Sequence, residues 1–168
     1  MPSGPGDYLA HMFTSGNHID NHIPAPKWIV SPDLSPYTAT LAAMEAHVAA
    51  MIDGTADEQI WLVEHPPVIT AGTSASPFDL VDAGRFPVVA AGRGGRHTYH
   101  GPGQRVVYPL LDLGRRGRDV RVYVEALEAW VIAALGEFGV HAFVHEAGTG
   151  IWVNGPAGLA KIGAIGVR

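Results

Sequence analysis

Between Gly92 and Gln104 the chain concentrates groups able to bind and polarise a ligand: Arg93, Arg96, His97, Thr98, Tyr99 and His100, set among glycines at 92, 94, 95, 101 and 103. Arginine offers a rigid fork of donors. Imidazole titrates near neutral pH. Glycine removes the Cβ that would keep a ligand from the backbone. The same string also reads as a solvated Gly/Pro surface loop. A second candidate is Lys161, one of only two lysines, within the apolar run Leu159–Ile165. Such neighbours would strip water from the amine and disfavour its charged form, so that it could exchange protons near neutrality. The alternative is an edge-strand lysine pointing at water.

Other constellations are weaker. His65 precedes Pro66-Pro67 and either takes part in chemistry or packs and caps. His97-x-x-His100 lacks a third ligand, so no metal site is expected. There is no GxSxG elbow and no P-loop. The dinucleotide fingerprint breaks at His97, and a strand-like segment rather than a helix follows the loop. No cysteine is present, which excludes disulfides, thiolate metal sites and a thiol nucleophile within these residues. No cofactor is implied.

The loop lies between two apolar runs read as strands, Phe86–Ala90 and Arg105–Leu111. Upstream, Lys27–Val30 reads as a short strand. Ser35-Pro36 reads as an N-cap and first helical residue. Tyr37, Leu41, Met44, Val48 and Met51 then form one helical face that Gly54 ends; His47 on this helix is expected to face solvent. Gln59–Glu64 is a strand stopped by His65-Pro66-Pro67, and Val68–Thr70 resumes it. Downstream, Asp119 caps a helix with the stripe Val120, Val124, Leu127, Val131, Leu135 and Phe138, ending at Gly139. Val140–His145 reads as a strand. Ile151–Val153 and Leu159–Val167, joined by Asn154–Gly158, read as a hairpin, with Ile162–Val167 as a core strand. The expected class is α/β (α+β), helices packed on a mixed, mostly antiparallel sheet.

Residues 1–26 show no sustained period and read as a flexible arm; their histidines 11, 18 and 22 have no metal-ligand spacing. Residues 27–168 read as one domain. Only 16% of residues are charged, against about 25% typically, and 47% are apolar, which fits a packed domain and not a disordered chain. No apolar run reaches roughly 18 residues, so no membrane association is expected, and with no visible secretory signal the cytoplasm is the default location. The net charge of −5 argues against nucleic acid as a partner. Locally the balance reverses: residues 93–121 hold seven arginines and two acids, suiting an acidic macromolecule or simply a solvated face.

The string Arg93-Gly94-Gly95-x-x-Thr98-x-His100-Gly101-Pro102-Gly103-Gln104 resembles the signature of the lipoyl(octanoyl) transferases. Glu64–Gly72 resembles that family's upstream loop; Gly150–Val153 with Lys161–Gly166 resembles its lysine hairpin. The resemblance runs from about Trp28 to Arg168. It implies the fold of biotin and lipoate protein ligase catalytic domains. The implied activity is transfer of an octanoyl group from octanoyl-acyl carrier protein to a lysine of lipoyl domains, those of 2-oxoacid dehydrogenase complexes and the glycine cleavage H protein. By residue-wise match Lys161 would lower the pKa of a nucleophilic cysteine. Arg93, Gly94, Gly95, Arg96, His97, Thr98, Tyr99 and His100 would line the substrate site, with Ala164, Ile165 and Gly166 flanking the acyl chain. The family's cysteine has no counterpart here, so the chain is expected to be a shortened form without activity of its own. Rival readings are an ATP-dependent lipoate or biotin ligase and a non-enzymatic carrier-binding module.

Overall fold

A computed structural model describes residues 23–168. The reading of residues 1–26 as a flexible arm, with its histidines, falls almost wholly outside them. The described chain forms two compact units, Pro24–Asp112 with Arg168, and Leu113–Val167 preceded by Ile23.

The first unit holds two three-stranded sheets. Strand β1 (Lys27–Leu34) leads into helix α1 (Tyr37–Ile52), which returns the chain to β2 (Gln59–Glu64), parallel to β1. On the other side of β2 lies β6 (Val106–Leu110), antiparallel. His65-Pro66-Pro67 ends β2, and the chain crosses to β3 (Val68–Ala71), the centre of the second sheet. There β3 runs parallel to β4 (Val88–Ala90) and antiparallel to β5 (His97–His100). Tyr37 and Leu41 of α1 pack against Val68, Val89 and Ala91, while Ile60 and Val63 are fully buried on β2.

The second unit has helix α2 (Val120–Gly136) and the hairpin β7 (Ile151–Gly155) and β8 (Gly158–Gly163). The fold is therefore mixed α/β, with three antiparallel and two parallel strand pairs.

Local signals placed the helix ends well, with one shift. Helix α1 starts at Tyr37 and its N-cap is Pro36 without a side-chain cap, because the Ser35 hydroxyl turns back to the Asp33 carbonyl. It ends as expected: Gly54 takes a φ of +71°, and the N–H groups of Gly54 and Thr55 donate to the carbonyls of Met51 and Ala50. His47 is not free in solvent but hydrogen-bonds the Asp57 carbonyl at 2.9 Å. Asp119 caps α2, its Oδ1 accepting from the N–H groups of Arg121 (2.8 Å) and Val122 (3.2 Å). The buried face of α2, however, is Tyr123, Ala126, Leu127 and Glu128, whereas Val120 and Phe138 of the expected stripe are exposed. In a helix with valine and alanine on every side, periodicity alone does not choose the face.

Three further expectations are corrected. The glycine-rich segment is not all loop, since His97–His100 forms β5 against β3. Val140–His145 makes only an isolated bridge, Phe143 to Trp152. The second hairpin arm stops being a strand at Gly163, and of the expected core strand Ile162–Val167, Ile162, Ala164 and Gly166 are exposed.

Candidate active site

The glycine-rich segment is held by backbone pairing with the chain leaving β3. The N–H groups of Gly72, Thr73 and Ser74 donate to the carbonyls of Arg96, Arg93 and Gly95, and that of Ala91 donates to Ala71. The approach is so close that a Cβ on Gly72 would come within 2.8 Å of the Gly94 carbonyl and of the Arg93 guanidinium. Only glycine fits there.

Arg93 braces the interior of the loop. Its Nη1 donates to the carbonyls of Gly94 (2.8 Å) and Arg96 (3.2 Å); its Nη2 donates to the Thr70 carbonyl (3.2 Å) and to the hydroxyls of Thr70 (2.7 Å) and Thr98 (2.9 Å). A guanidinium suits this because its donors diverge in one plane. Arg96 points outward and pairs with Asp79 at 3.5 Å. The far end of the loop is tied by Glu64, which accepts from the Gly103 N–H (2.8 Å) and pairs with Arg105 (3.3 Å).

Alternation along β5 sends its side chains to opposite faces. Tyr99 is exposed and packs on Phe86, ring centroids 5.0 Å apart. His97 is half-buried, and its Nδ1 finds no hydrogen-bond partner among the described residues. On the other face Thr98 meets Arg93, and His100 enters an aromatic cluster with Tyr37 (6.4 Å, nearly parallel rings) and His65 (5.7 Å, edge on).

His65 is completely buried. Its Nδ1 donates to the Ser35 carbonyl at 2.6 Å, so in the neutral ring Nε2 accepts from the Tyr108 hydroxyl at 2.8 Å. Burial pushes the Tyr108 phenol far above its usual range, which keeps that hydroxyl a donor. His65 thus caps the end of β1 and packs, the second of the two roles its sequence context allowed. His100 donates from Nδ1 to Gln104 Oε1 at 2.8 Å and turns Nε2 toward Thr70 Oγ1 at 3.3 Å. Its burial holds the imidazole below the ordinary histidine range; the Gln104 bond opposes this, while the nearby Arg93 guanidinium adds to it. A neutral His100 leaves Nε2 as a proton acceptor.

In the other unit, Lys161 on β8 is exposed, which corrects the expectation of an amine stripped of water. Its Nζ donates to the Thr149 carbonyl at 2.5 Å and stands 5.7 Å from the centre of the Trp152 ring. Ala164, Ile165 and Gly166 follow β8 outside any strand, Ile165 half-buried and the other two exposed.

Sequence reasoning missed the supporting residues Tyr37, Thr70 and Tyr108. They carry no local signal, because His65 and Tyr108 lie 43 positions apart and Thr70 and His100 lie 30 apart. Among the described residues no group of three or more potential ligands could hold a metal ion, and no helix is long and apolar enough to cross a membrane.

Within one α/β unit, a tightly zipped, glycine-rich cationic loop lies beside a buried His–Tyr cluster. Residues 36–168 match the model of the lipoyl protein ligase A/B catalytic domain. The octanoyltransferase of Sphingopyxis alaskensis is 62% identical over 147 residues, covering 87% of this chain and 67% of that protein. Those of Cereibacter sphaeroides (59% over 153 residues; 86% and 70%) and Maricaulis maris (54% over 147 residues; 87% and 65%) are similar over comparable spans. The chain belongs to the lipoyl protein ligase A/B catalytic-domain family, within its octanoyltransferases, which are acyltransferases. It spans about two-thirds of the length of these relatives.

Proposed function

We propose that this chain is the larger part of an enzyme that moves an octanoyl or lipoyl group from acyl carrier protein to a lysine amine of lipoyl domains, in the cytoplasm. The observation that carries the reading is the similarity to octanoyltransferases at 54–62% identity, together with a family match over residues 36–168 that takes in the glycine-rich loop and the Lys161 hairpin. The chemistry is two acyl exchanges. A cysteine thiolate adds to the carrier's thioester carbonyl and the carrier thiol leaves; the acceptor amine then adds to the new thioester and the enzyme thiolate leaves, giving an amide.

These residues contain no cysteine, so a thioester on this protein needs a thiol from outside them. The chain alone is therefore proposed to be inactive. Lys161 would stabilise the thiolate and relay protons. Residues Arg93–His100 would line the substrate site, and backbone N–H groups of the glycine-rich stretches would stabilise the tetrahedral oxyanion. Ala164, Ile165 and Gly166 are small or apolar and would flank the acyl chain, whose burial is worth about 0.8 kcal/mol per methylene.

The matching family model is named for lipoyl protein ligases, so a second reading is ATP-dependent attachment of free octanoate. One experiment separates them: intact-mass measurement of a lipoyl domain after incubation either with octanoyl-acyl carrier protein without ATP or with free octanoate and ATP. The transferase reading expects no octanoyl mass gain with these 168 residues and gain once the chain is extended to include a cysteine. Gain only with free octanoate and ATP would establish the ligase, and silence throughout would leave a carrier-binding module.

A further inference from the structure

We propose that Glu128 is a positioning residue for Lys161, acting through the Thr149-Gly150 turn. Glu128 is the one acidic side chain on the buried face of α2. A carboxyl group in that setting is costly unless hydrogen-bonded, and its Oε1 accepts from the Gly150 N–H at 2.8 Å. Gly150 is itself buried and takes a φ of +135°. A Cβ there would lie 2.5 Å from Lys161 Cε and 2.5 Å from the Gly163 carbonyl. The lysine stem therefore crosses directly over the glycine, and the preceding carbonyl, Thr149, accepts the hydrogen bond from Nζ. Trp152 closes the seat, its indole N–H fixed to the Gly148 carbonyl at 2.9 Å.

Gly148-Thr149-Gly150 is about as free a backbone as three residues can be, because glycine has the largest conformational range to lose. Its central carbonyl nevertheless has to hold an ammonium group in one place. Gly148 is tied at its carbonyl by Trp152 and at its N–H by the His145 carbonyl, and the bond from Glu128 fixes the Gly150 end of the turn from the helix. The seat matters for acyl transfer only through the Lys161 role proposed above, but its geometry can be tested without any turnover.

The chain has two lysines, Lys27 and Lys161, so lysine-labelled protein gives two side-chain signals, one an internal reference. In the native 168-residue chain, NMR is expected to show an NOE between Gly150 Hα and Lys161 Hε. Glu128→Leu, which keeps the volume and removes the acceptor, should lose that NOE and shift the Lys161 Hε–Cε signal, with Lys27 unmoved. Glu128→Gln keeps an acceptor oxygen and should retain both. If Glu128→Leu does not fold, as judged by Lys27 and the amide spectrum, Glu128→Asp decides: one methylene shorter, it should weaken the NOE. Full NOE intensity in the folded Leu variant or in Glu128→Asp overturns the proposal. Failure of acyl transfer with these NMR results intact would instead count against the Lys161 role and leave the seat standing.

Discussion

A guanidinium that reaches five oxygens at once cannot be replaced by an ammonium, which is a point charge without a planar fork. Arg93→Lys is therefore expected to lose most of the brace from the loop to Thr70 and Thr98. A destabilisation of about 1.5–3 kcal/mol, the range for hydrogen bonds to charged groups, should appear in the denaturant midpoint. His100 gives a prediction in pH. Because burial lowers its folded pKa below 6.5, the unfolded chain takes the proton first as pH falls. Its contribution to stability is complete above 6.5 and is lost as pH drops toward the folded value. Comparing denaturation midpoints at about pH 7.5 and 5.5, His100→Asn should show a smaller acid loss than the native chain; an equal loss would place the effect elsewhere among the nine histidines. At this scale the sequence exposed the loop's cationic and titratable groups but not their employment. Arg93 reads from sequence as lining the substrate site, but nothing local shows that its guanidinium is held by oxygens of the loop and of Thr70 on β3, 23 positions away.

Among the elements, those fixed by short-range chemistry were legible. Asp119 and Gly54 bound their helices because caps involve neighbours within a turn. Asp119→Ala should cost about 1 kcal/mol, within a range of roughly 0.5–2, by thermal or denaturant unfolding. The β7–β8 hairpin was legible for the same reason, its Gly155 and Gly158 flanking a two-residue turn. Strand β5 was not. Its sequence His-Thr-Tyr-His has no apolar alternation, and it is a strand because β3 offers it hydrogen bonds. Lys161 failed as a buried amine because an apolar sequence context says nothing about which strands cover a hairpin; β8 is exposed along most of its length.

For the molecule as a whole, the family was readable from the loop and hairpin motifs, and the structural class from the order of elements. The residues carrying those motifs fall in different compact units, the loop in Pro24–Asp112 and Lys161 in Leu113–Val167. Low charge content has a consequence at this scale, since 16% charged residues leave little to keep apolar side chains apart. Phe78 and Val81 are fully exposed. Replacing both with serine should reduce concentration-dependent light scattering and leave the melting temperature unchanged, because neither side chain is packed. The pairing of β2 with β6 also bears on synthesis. Gln59 meets Leu110 across roughly fifty residues of chain, several seconds of translation at about 5–20 residues per second. For that interval β2 leaves the ribosome with one side of its backbone unpaired, an open template for a neighbouring nascent chain. Crowded polysomes are thus a place where this fold is open to misassembly before its sheet is complete.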